Sequence, residues 1–73
     1  MLTARLAAPV ADYSIRMIDA AGRSVNLPIN GDCINELIRD GYKEAEARES
    51  VESNAFQNAV ARGEIGADAW IAA

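Results

Sequence analysis

"YSIRMIDAAGRSVNLPI", residues 13 to 29, decides how this chain folds. In its first arm Tyr13, Ile15 and Met17 alternate with Ser14, Arg16 and Ile18. In its second, Val25, Leu27 and Ile29 alternate with Ser24, Asn26 and Pro28. A period of two marks half-buried strands, because successive side chains of a strand point to opposite faces. Between the arms, Asp19-Ala20-Ala21-Gly22 suits a type I turn, with Asp at the first position and Gly where the bulge needs positive φ. The segment predicts a β-hairpin. Pro28 has no N–H to give a ladder, so the second arm is expected on the outside of the sheet. The first arm is then the better candidate for its centre, or for an edge awaiting cover.

Toward the C-terminus the period changes. In "INGDCINELIRDGY", residues 29 to 42, Ile34, Leu37 and Ile38 fall at i, i+3 and i+4, one apolar stripe of a helix. Asn30 or Asp32 can cap its start, Asp32 also suits the positive end of the dipole, and Gly41 supplies a left-handed stop. A helix this short needs the hairpin to pack against. A longer one is expected from about Lys43 to Arg62, ended by Gly63. Ala47, Val51, Ala55 and Ala59 recur every fourth residue beside Phe56 and Val60, while Glu44, Arg48, Glu49 and Glu52 take the opposite face. Arg48 stands four residues from both Glu44 and Glu52, the spacing of helical ion pairs. In the tail "GEIGADAWIAA", residues 63 to 73, either Asp68 caps a short helix or residues 69–72 form a third strand. The strand is preferred, because it covers an edge that the hairpin leaves open.

The expected fold is therefore α+β, in the order ββααβ, as a single small domain over residues 13–73. Residues 1–12, alanine-rich and without a period, are expected to form a flexible arm. The expected core is Ile15, Met17, Val25, Leu27, Ile34, Leu37, Ile38, Val51, Phe56 and Val60, with Tyr13 and Trp70 partly buried. Phe56→Ala is the expected worst substitution.

Composition limits what such a domain can be. Of its 73 residues 51% are apolar, but alanine is the commonest of them, so the core has few bulky side chains. The lone Cys33 cannot form an internal disulfide and fits a reducing compartment, where it reads as a small half-buried residue at a helix start. "MLTARLAAPVA", residues 1 to 11, is broken by Arg5 and lacks the apolar run of an export signal. Nothing approaches the ~18–20 apolar residues of a membrane span. A soluble cytoplasmic protein is expected.

The net charge of −4 is uneven. Residues 1–31 carry Arg5, Arg16 and Arg23 against Asp12 and Asp19, whereas the helical half carries most of the acids. Direct nucleic-acid binding wants a basic face and is not expected. The short helix followed by Gly41 has a superficial helix-turn-helix spacing, but its partner helix is acidic where phosphate contacts would be needed.

With no histidine and one cysteine, no metal cluster is expected, and no calcium loop or phosphate-binding loop is present. The glutamates near residue 50 read as a solvated helix face, and Ser50 and Ser53 lack a base partner. No catalytic residue and no cofactor are expected, and the chain does not read as an enzyme.

That leaves binding. The first expectation is a protein-binding regulator or inhibitor that docks on a larger macromolecular machine through the hairpin edge. Its contact residues would be Arg16 and Arg23, with Tyr13 and Ile18 beside them, since exposed edges accept added strands and arginine favours interfaces. In length and general character the chain resembles the small inhibitors encoded by bacteriophages and other mobile elements. That resemblance implies host RNA polymerase, a CRISPR effector or another nucleic-acid-handling complex as partner. The alternatives are an acidic nucleic-acid mimic, using Glu44, Glu46, Glu49 and Glu52 to occupy a basic channel, and a structural homodimer joined through hairpin edges.

Overall fold

The computed structural model describes residues 8–72. Its elements are β1 (Tyr13–Ile18), β2 (Ser24–Ile29), α1 (Gly31–Arg39), α2 (Glu44–Ala61) and β3 (Trp70–Ile71). The strands form one antiparallel sheet in the order β2-β1-β3, with both helices on one side of it. The fold is α+β in the order ββααβ, as the alternation and the helical stripes predict. The tail's last element is the strand.

The hairpin turn is the one the sequence calls for. The Gly22 amide donates to the Asp19 carbonyl at 3.0 Å, and the Asp19 amide to the Arg23 carbonyl at 2.9 Å. Gly22 takes φ +86°, a conformation glycine enters at no steric cost. This turn sets the phase of the ladder. With Asp19 and Arg23 bonded, the alternation of antiparallel pairs makes Met17/Val25 and Ile15/Leu27 bonded too. Ser24, Asn26 and Pro28 then turn their main-chain groups outward, away from β1. Pro28 thus lacks a donor only where none is required, which explains a proline inside a strand. Arg16 is outward-facing on β1 by the same count, and its carbonyl accepts from the Ala72 amide of the third strand at 2.9 Å.

Pairing fixes the faces. Ile71 lies opposite Met17 and shares its helix-facing side, while Trp70 lies opposite Ile18 on the uncovered side. The helices cover one face of the sheet, and the other carries Ser14, Arg16, Ile18, Ser24, Asn26, Pro28 and Trp70.

Both helices begin and end on defined hydrogen bonds. The Asn30 side chain accepts from the Asp32 amide at 2.8 Å, so Asn30 is the cap of α1 and Asp32 lies in its first turn. At α2 the Glu46 carboxylate accepts from the Lys43 amide at 3.1 Å, half of a capping box, since a lysine ammonium has no acceptor to return. Each helix closes with paired bonds. The Gly41 and Tyr42 amides donate to Ile38 and Leu37 carbonyls, and those of Gly63 and Glu64 to Val60 and Ala59.

The core consists of Met17, Leu27, Ile29, Ile34, Ala47, Ala59 and Ile65, ringed by half-buried Tyr13, Ile15, Val25, Leu37, Ile38, Val51, Phe56 and Val60. Alanine at positions 47 and 59 lets α2 come close to its neighbours. Two expectations need correction. Trp70 is 52% exposed, because its place opposite Ile18 turns it to the uncovered face. Cys33 is exposed on α1, since the apolar stripe begins one residue later at Ile34. Of the expected arm, residues 1–7 lie outside the described residues. Its last part is tied to α1: Val10 gives its amide to the Asn35 side chain at 2.9 Å and accepts from it at 3.1 Å, and Asp12 accepts from the Gly31 amide at 2.7 Å. Among the described residues no helix is long and apolar enough to cross a membrane.

Candidate functional site

The four residues that the sequence offers as partner contacts, Tyr13, Arg16, Ile18 and Arg23, fall into two pairs in the structure. Arg16 and Ile18 lie on the uncovered face of β1, beside Trp70. Tyr13 turns to the helix side. Its hydroxyl donates to the Glu52 carboxylate, and the Arg48 guanidinium stands 5.1 Å from its ring centroid. Burial, followed by the hydrogen bond to Glu52, pushes the phenol above its usual range, with Arg48 opposing.

Arg23 also has an internal task. Its Nε meets Asp19 Oδ2 at 2.9 Å. Among the described residues Asp19 is the buried charged one, 2% exposed, and all its acceptor capacity is used. Oδ1 accepts from the Ala21 and Arg23 amides at 3.0 and 2.9 Å, and Oδ2 from Arg23 Nε and the Gly66 amide at 2.9 and 2.8 Å. Burial alone would raise the carboxyl's pKa. The bonds from Gly66 and Arg23 outweigh burial and hold it below the ordinary range. Sequence reasoning found Asp19 only as a turn former, because its link to Gly66 spans 47 residues and no local pattern records it.

The acids proposed as a phosphate track are dispersed by helix geometry and by partners. Glu44 accepts from Arg48 Nε at 2.9 Å, Glu46 caps α2, and Glu52 holds Tyr13. Arg48 therefore takes Glu44 and not Glu52 of its two possible partners. At roughly 100° of rotation per residue, Glu46 projects well away from Glu44 and Glu52. Glu49 is exposed and has no hydrogen-bond or ion-pair partner among the described residues.

What the structure brings together, and the sequence did not reveal, is an edge. β3 carries the large apolar side chains of Trp70 and Ile71, 52% and 61% exposed, one on each face of the sheet. On the outer face Trp70 stands with Arg16 and Ile18. On the helix side Ile71 flanks a groove of about 220 Å³ floored by Ile15, Met17 and Leu27, walled by Phe56, and rimmed by Glu49 and Glu52. A larger open depression of about 400 Å³ lies between the helices, lined by Cys33, Ser50, Val51, Ser53, Asn54 and Gln57. The outward phase of Trp70 was readable only after its register opposite Ile18 was known.

Comparison with protein families, curated proteins and solved structures returns no match for this chain.

Proposed function

We propose that this chain is a non-enzymatic protein-binding regulator or inhibitor that docks on a larger assembly through the β3 edge and the adjoining face of the sheet. One observation carries the reading: Trp70 and Ile71 stand exposed on opposite faces of an edge strand. A domain with so few bulky side chains gains most by burying them, at roughly 25 cal/mol per Å² of apolar area. Leaving two large ones on the surface costs stability, and an edge of this kind is a template for another chain. Arg16 and Ile18 extend the patch with the cation and aliphatic group common at protein interfaces. Arg23 and Tyr13 are not part of it, since both hold the fold together.

The test uses Arg16→Glu and Trp70→Ser together, two exposed positions, in an affinity-tagged chain expressed in its native cell. Proteins retained by the unaltered chain are identified by mass spectrometry and compared with those retained by the double variant. The specific partner is expected to disappear while the circular dichroism and melting of the domain stay as they were. A partner still held by the folded double variant would remove this surface from the function.

A further inference from the structure

The two edges of the sheet are not equivalent. β2's outer edge is guarded by Pro28, whose ring occupies an outward-facing position where a donor would otherwise be offered. β3 has no such guard. With Ile18 and Trp70 bonded as a pair, the amide and carbonyl of Ile71 point away from β1, and neither proline nor lysine interrupts the stretch Ala69 to Ala72. A strand laid along β3 receives two main-chain bonds at Ile71. Its residue opposite Ile71 shares the helix-facing side and meets the mouth of the groove formed by Ile15, Met17, Phe56 and Ile71.

The chemistry of that strand follows from the groove. Its floor is aliphatic, so the central residue must be apolar. Its rim is acidic: Glu49 is exposed without a partner among the described residues, and Glu52 spends one oxygen on Tyr13. Arg48, next to Glu49 in sequence, is committed to Glu44. A second copy of this chain would bring a further net charge of −4, whereas a basic strand neutralises the rim. We infer that the β3 edge takes an extended peptide with a basic–x–aliphatic–x–basic pattern on the face it turns toward α2. This rests on the docking function proposed above and names the chemistry of the partner segment.

Trp70 is the chain's one tryptophan and lies in the receiving strand, so its fluorescence reports binding directly. The probe is an acetylated, amidated heptapeptide, Thr-Lys-Thr-Val-Thr-Lys-Thr. Its controls are the same peptide with glutamate for lysine, and the lysine peptide N-methylated at its valine. The lysine peptide is expected to shift Trp70 emission saturably, and about tenfold more tightly than the glutamate peptide, because like charges repel at the rim. Glu49→Lys, a change at an exposed position, should erase that preference, because it sets a lysine against the remaining Glu52 at the rim. N-methylation should abolish binding, because it removes the donor that pairs with Ile71 and leaves charge untouched. Equal binding of the two charge forms, no binding, or indifference to N-methylation overturns the inference. So does a stable dimer in sedimentation that excludes the peptide. Failure of the peptide with cellular capture still dependent on Trp70 rejects this partner chemistry alone. Capture independent of Trp70 rejects the docking surface itself.

Discussion

The carboxylate of Asp19 accepts the amide of Gly66 at 2.8 Å, joining the hairpin turn to the loop that leads into β3. The same carboxylate holds the turn through the Ala21 and Arg23 amides, so one buried side chain sets both the hairpin and the approach of the third strand. Its folded pKa lies below the ordinary value of 3.8, and the unfolded chain therefore binds its proton more tightly than the fold does. The stabilisation is whole above that ordinary value and is lost as pH falls through the depressed folded value. Asp19→Asn keeps the shape but turns an amide donor or a weaker acceptor toward Gly66 and Arg23. Urea melts from pH 2 to 7 should show the variant less stable at neutral pH, with the difference shrinking in acid. An unchanged gap across that range would dismiss the charge as its source.

Two glycines are small because other backbone or side-chain atoms lie against them. A Cβ at Gly31 would fall 2.2 Å from the Val10 carbonyl oxygen and 2.7 Å from the Ala11 carbonyl carbon. Relief requires the strap that Asn35 pins to α1 to move away, so Gly31→Ala should cost about 2–3 kcal/mol. At Gly66 the nearest atom, Asp68 Oδ1 at 2.7 Å, belongs to a side chain that can rotate, although Asp19 Oδ2 at 3.1 Å cannot easily give. Gly66→Ala should therefore be the milder change. Denaturant midpoints of the two variants check the order, and a milder Gly31→Ala would show that the strap is not held.

The hairpin, its turn and both helix ends were legible because each depends on residues a few positions apart: Asp19 with Gly22, Asn30 with Asp32, Gly41 and Gly63 with the carbonyls just before them. The site was less legible. The hairpin alone offers Arg16, Ile18, Arg23 and Tyr13 alike to the proposed docking surface, and only the folded contacts show that Arg23 and Tyr13 are engaged by Asp19 and Glu52. Trp70 reads as partly buried from sequence because a two-residue strand has no period of its own; only its register against β1 shows which way it faces. Ile65, 2% exposed between α2 and β3, escaped for the same reason.

Burial also changes the expected hierarchy of core substitutions. Ile34 is wholly buried at 0% exposure, where α1 meets the rest of the core, whereas Phe56 is only half-buried at the groove wall. Ile34→Ala removes buried carbons at a site that cannot collapse freely and should cost about 3–4 kcal/mol. Phe56→Ala widens a groove already open to water and should cost about 2 kcal/mol. For a domain of this size the first approaches the whole of its stability. Thermal melts of both variants decide the order, and a larger loss at Phe56 would mean that the groove is closed in solution.

Tyr13 separates stability from docking. Its hydroxyl bonds Glu52 on the helix side, away from Arg16 and Trp70, so Tyr13→Phe should lower stability by about 1 kcal/mol, the net worth of one hydrogen bond. Because the folded phenol titrates above its ordinary value of 10.0, its stabilisation is complete below that pH and falls away as pH rises through the raised value. Spectrophotometric titration should show a late-ionising phenol, and Tyr13→Phe should abolish that late phase. Partner capture should be unaffected by the same variant. If Tyr13→Phe weakened capture as strongly as Trp70→Ser, the contact surface would have to extend around the sheet to α2, and the division between structural and docking residues would not hold.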